Sequence, residues 1–165
     1  AQALMARLRT LPLNDPAAMR LVGLLDAELA LMQGKPAAAL AALQGAPDMG
    51  RAALFLRAQA GVQAGQAAPA TQSLQTWLAD HPRDAQAWQL LASAYATQGK
   101  TLSAIRAQAE VNVTQLDYGA ALARLKAAQE LARKGTAAGD HIEASIVDTR
   151  TRQVELLVRE QAVER

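Results

Sequence analysis

The sequence predicts an all-α array of antiparallel helical hairpins, about eight or nine helices in all. Three observations predict it. Ala, Leu, Gln, Arg and Glu, all good helix formers, dominate the chain, and β-branched residues are sparse until Ile142, Ile146 and Val147. Helix breakers fall at short intervals, and the segments between them carry helical periodicity. Paired Gly and Ala residues recur at a nearly constant spacing. At 165 residues the chain is long enough for a sizeable core. That core is unusual, because 51% of residues are hydrophobic but only 3% are aromatic. Alanine makes up much of the apolar share, so helices can approach closely while each residue buries little area.

The elements follow in order. Asn14-Asp15-Pro16 supplies an Asp cap and a Pro at the first helical position, and Leu21, Leu24, Leu25, Glu28 and Leu31 carry that helix to Gly34. A short helix follows from Pro36 to about Gln44, broken by Gly45 to Asp48. A long segment through Leu54, Phe55, Ala58 and Val62 ends at Gly65; the next runs from Ala70 to Asp80 with Leu74, Trp77 and Leu78. His81-Pro82-Arg83-Asp84 stops it, and Ala87 opens another helix that closes at Gly99. Helices over Thr101 to Gln115 and Tyr118 to Lys134 come next. After the flexible Lys134 to Gly139, Asp140 stands three residues before Glu143 in a capping-box arrangement and opens a last long helix, 140–162. The organisation is one domain over 1–165, with irregular hairpins in 1–47 and clearer repeats in 48–134.

The repeat lies in the turns. Gly34, Gly65 and Gly99 each precede an Ala by five residues (Ala39, Ala70, Ala104) and follow one by seven (Ala27, Ala58, Ala92). Where antiparallel helices cross closely, a side chain no larger than Ala must sit at the contact, and Gly ends the first helix in a left-handed turn. Leu43, Leu74, Pro82, Trp88, Leu91 and Tyr95 are the expected fillers beside the crossings. Leu116 to Leu122 continues the pattern with Ala121, Leu125 and Ala128, but Leu116 stands where the turn Gly belongs.

The spacings of 31 and 34 residues match the tetratricopeptide period, and Trp88, Leu91, Ala92, Tyr95, Gly99 and Ala104 form the best copy. The chain thus resembles a tetratricopeptide array, an α-solenoid. It departs from the pattern where Ala92 replaces the usual Gly, Gln108 an expected large apolar residue, and Arg57 a normally buried Leu.

The segment from about Asp84 to Gln161 also resembles the C-terminal tail of the BepA-like periplasmic zinc metalloproteases of Gram-negative bacteria. Arg106, Ala107, Ala109 and Glu110, the Asp117-Tyr118 turn, and Asp148, Arg150 and Arg152 carry the likeness. The resemblance implies a periplasmic repeat domain that follows a zinc protease domain, with zinc held only in that domain and no cofactor in this chain. The His-Glu-x-x-His helix such a domain needs is not in this sequence. The only histidines, His81 and His141, stand sixty residues apart; His81 is read as a turn residue, and Glu143 beside His141 as a helix cap. No catalytic or metal-ligating residue is expected here. Gly34-Lys35 and Gly99-Lys100 lack the rest of a phosphate loop, and Ser93, Ser103 and Ser145 have no neighbouring His to activate them.

Charge narrows the partners. The formal charge is +2, from 17 basic and 15 acidic residues scattered without a basic run, which argues against a nucleic-acid footprint. No apolar run approaches a membrane span, and the opening residues lack the pattern of an export signal, as they would after its removal. Without cysteine there are no disulfides or thiol ligands.

The expected function is therefore a non-catalytic protein–protein interaction module. By resemblance it recruits outer-membrane proteins or their assembly machinery to a protease domain upstream in the same polypeptide. The alternative is a free-standing periplasmic adaptor or outer-membrane assembly factor. Repeat arrays bind along the face lined by the first helix of each pair, which selects Phe55, Gln59 and Val62 in one unit and Gln86, Gln89 and Ser93 in the next. Asp148, Arg150 and Arg152 form either a solvated helix face with weak ion pairs or a surface for interdomain docking.

Overall fold

Capping chemistry and turn glycines divide the chain into helices in the computed structural model, which describes residues 2–10, 15–44, 50–135 and 141–163. Nine α-helices and no strands occur among them. They are α1 (Gln2–Arg9), α2 (Pro16–Met32), α3 (Pro36–Leu43), α4 (Gly50–Gln63), α5 (Ala67–Asp80), α6 (Ala85–Thr97), α7 (Thr101–Thr114), α8 (Tyr118–Arg133) and α9 (His141–Val163). The all-α class holds, and within the units α1 to α4 and α6 to α9 each pack on their neighbours in sequence. Contacts between α2 and α4, and between α7 and α9, add the next-neighbour packing of a helical repeat. By proximity the chain divides into two compact units, Ala1–Ser73 and Leu74–Arg165.

In the first unit Asp15 caps α2 by accepting from the Ala17 N–H at 2.9 Å, and Pro16 takes the first helical position. The six small residues selected from the spacing (Ala27, Ala39, Ala58, Ala70, Ala92 and Ala104) are all buried across the two units, as close crossings require. Ala27, Leu31, Ala39, Leu43 and Ala60 form the first unit's core, flanked by Leu24, Leu40 and Leu56. Arg57 stands at a position expected to hold Leu because it does different work. Its Nη2 donates to the Leu43 carbonyl at 2.8 Å, satisfying an orphan acceptor at the end of α3. Helix α5 begins at Ala67 rather than Ala70. Pro69 falls in its first turn, where a missing N–H leaves no intrahelical bond unmade.

The second unit packs Leu102, Ala109, Ala121, Leu125, Ala128, Val147 and Val154 into its core. Leu74, Leu91 and Tyr95 are buried fillers as expected. Pro82 is exposed instead, and Trp88 is half-buried with its indole N–H donating to the Pro82 carbonyl at 2.9 Å. The turn between α5 and α6 is pinned further by Trp77, which stacks on His81 at 3.8 Å between centroids and donates to Asp84 at 3.0 Å. Asp84 also caps α6, accepting from the Ala87 N–H.

The turns at Gly99 and Leu116 close alike. At the first, the Lys100 N–H donates to Tyr95 and the Gly99 N–H to Ala96; at the second, the Asp117 N–H donates to Asn112 and the Leu116 N–H to Val113. Both are Schellman closures, and both place the central residue at positive φ, 72° for Gly99 and 62° for Leu116. A Leu there carries a strain of about 1 kcal/mol that Gly does not. Gln108 has a polar role as well, accepting from Arg124 at 3.2 Å. The turns at Gly45 to Asp48, the Asn14 position and the Asp140 cap lie outside the described residues.

Candidate functional site

Helix α4 carries the first group of expected lining residues. Gln59 is exposed and Val62 half-buried, but Phe55 is only 6% exposed, with the Arg51 guanidinium 4.2 Å from its ring centroid. Phe55 is thus a packing residue with a cation over its face, and its assignment to an exposed lining is corrected. Alanine on several sides of α4 blurs the apolar period, so the inward face cannot be read from periodicity alone.

Helix α6 resolves cleanly. Ala87, Leu91, Ala92, Ala94 and Tyr95 face inward, while Gln86, Gln89 and Ser93 are all exposed at three- and four-residue spacing on one face. The Ser93 hydroxyl donates to the Gln89 carbonyl at 3.2 Å and stands exposed beside Gln86 and Gln89. Such a row can donate to and accept from a peptide backbone.

Helix α9 holds the third group, and two of its three residues pair with neighbouring helices. Gln129 donates to Asp148 at 2.6 Å. Arg150 makes a forked pair with Glu110, Nε to Oε1 at 2.6 Å and Nη2 to Oε2 at 2.7 Å, and its Nη1 donates to Gln153 at 2.9 Å. Asp148 and Arg150 therefore hold α9 onto α8 and α7. Arg152 alone of the three is exposed.

The partners on α7 escaped the sequence reading. Glu110 is 8% exposed, and Arg106, one turn before it, pairs with Glu143. Glu143 thus has a second helix as its ion-pair partner. Burial alone would lower the Arg106 pKa, but the hydrogen bond and charge of Glu143, with Tyr95 and Glu110 nearby, outweigh it and raise the value. A raised value stabilises the fold at all pH below the ordinary guanidinium range and is lost only above it. The signal in the sequence was the four-residue spacing of Arg106 and Glu110, answered by opposite charges at Glu143 and Arg150. Beside these pairs lies an open cleft of about 320 Å³, lined by Arg106 and Glu110 from α7 and by Ile146, Thr149, Arg150 and Gln153 from α9.

His81 is engaged with Trp77, and His141 is exposed at the start of α9. Among the described residues no group of three His, Cys, Asp or Glu side chains is placed to hold a metal ion. None of the described helices is long and apolar enough to cross a membrane. In comparisons with known proteins, the chain matches no family model and no curated sequence.

Proposed function

We propose that this chain is a non-catalytic protein-interaction module. The observation that carries the reading is the exposed row Gln86, Gln89 and Ser93 on α6, backed by an inner face of alanines, Leu91 and Tyr95. A rigid helix that presents neutral donors and acceptors at helical spacing suits an extended or helical peptide better than a charged terminus. The finer reading rests on the resemblance over about Asp84 to Gln161. It makes the module periplasmic and joins it to a zinc metalloprotease domain upstream, to which it brings outer-membrane proteins or their assembly machinery. It acts by placement, raising the effective concentration of substrate near a metal site supplied elsewhere.

Three experiments test this. The gene upstream of Ala1 is expected to encode His-Glu-x-x-His and an export signal; an export signal directly before Ala1 with no protease domain favours the free-standing adaptor. The purified chain, immobilised and exposed to periplasmic extract, is expected to retain envelope proteins, and Gln86→Ala with Gln89→Ala is expected to release them. Peptide hydrolysis by the purified chain overturns the non-catalytic reading.

A further inference from the structure

We propose that the outward face of α9 docks an acidic amphipathic helix of a partner protein. This deepens the interaction-module reading and rests on it, but places a second surface apart from α6. Ile142, Ile146, Thr149, Gln153, Leu156, Glu160 and Val163 follow one another at alternating steps of four and three, and all seven are exposed. The four apolar members range from 42% exposed at Ile146 to 87% at Val163. The stripe lies opposite Val147, Thr151 and Val154, which seat α9 in its own unit. It runs about 32 Å.

Four–three alternation keeps a narrow seam on one side of a helix, and the complementary shape is another helix laid along it. The flanks state the charge of that helix. Arg152 and Arg159 stand exposed, two turns apart on one side of the seam. On the other side the cleft beside Ile146 has room for a side chain of the occupant, with Arg150 at its wall. Arg150 is held by Glu110 and Gln153, so carboxylates along one flank of the occupant's apolar stripe would meet Arg152 and Arg159.

Two other occupants fit less well. Antiparallel pairing of two copies about Gln153 sets Arg152 of one against Arg152 of the other, a like-charge contact. An anionic bilayer would have to take up Thr149, Gln153 and Glu160, which interrupt the stripe, whereas a helix can set its own polar side chains against them.

The test is fluorescence anisotropy of the whole chain against a labelled helical peptide of about 21 residues, with Leu along its seam and Glu on its flanks. A sibling with Lys flanks is the control. The Glu peptide is expected to bind at least about tenfold tighter than the Lys peptide, and the preference to shrink as salt rises from ~50 to ~500 mM. Arg152→Glu with Arg159→Glu reverses the preference, and Ile146→Glu removes binding, while Gln86→Ala with Gln89→Ala leaves it unchanged. Should Ile146→Glu lose helicity by circular dichroism, the arginine pair decides. Equal binding of both peptides overturns the proposal. So does binding to phosphatidylserine vesicles without peptide binding, or self-association that Ile146→Glu disperses. Failure here with extract proteins still captured through Gln86 and Gln89 removes only the α9 site; failure of both removes the module reading.

Discussion

Helices α6 and α9 sit in the same unit and are built in opposite ways. Helix α6 buries alanines, Leu91 and Tyr95 and turns amides outward. Helix α9 buries only Val147, Thr151 and Val154, adds Arg150, Glu143 and Asp148 as inward partners for α7 and α8, and turns Ile142, Ile146, Leu156 and Val163 to solvent. The first follows the ordinary rule of apolar inside and polar outside. The second inverts part of it, and an inverted helix of this length points to a surface meant to be covered.

The largest break in this comparison is expected at the apolar seat of α6. Leu91 is 2% exposed, and Leu91→Ala should destabilise the chain by about 3 kcal/mol in denaturant unfolding. At the ionic seat of α9 the effect is smaller. Glu110→Ala leaves the Arg150 guanidinium without its carboxylate and should cost about 2 kcal/mol, below the loss at a fully buried pair because Arg150 keeps 27% of its side-chain exposure. Adding Arg150→Ala to that variant should cost little more, and a double-mutant cycle measures the coupling.

The turns sharpen the comparison with changes of opposite sign. Gly99→Ala should lower stability by about 1 kcal/mol from its positive φ alone, since an added Cβ meets open space. Leu116→Gly should raise it by about 0.5–1 kcal/mol, because the strain is relieved and little packing is lost from a side chain 63% exposed. The smallest effect belongs to Gln89→Ala. Its unfolding midpoint should move by less than about 0.5 kcal/mol equivalent while partner retention falls, which separates a binding residue from a structural one.

What could be read from the sequence was local. Gly34, Gly65 and Gly99 with their alanines declare the turns and crossings because both effects act within a dozen residues. Leu116 in place of Gly was visible too, and the turn there keeps the closure and positive φ of the Gly99 turn. The pairs Arg106–Glu143 and Glu110–Arg150 join residues 37 and 40 apart. Their partners depend on the register of α9 against α7, which no single-helix pattern contains. Phe55 failed for another reason: in an alanine-rich helix several faces look equally apolar, so periodicity does not choose which one turns in.

If the row on α6 binds a protein partner, site-specific photo-cross-linking from Gln89 captures it. A cross-linking side chain at Gln89 in the purified chain, mixed with periplasmic extract, is predicted to form a saturable adduct with an envelope protein. The same side chain at exposed Ala68 on α5 should not. Adducts no more abundant from Gln89 than from Ala68 would contradict binding at that row.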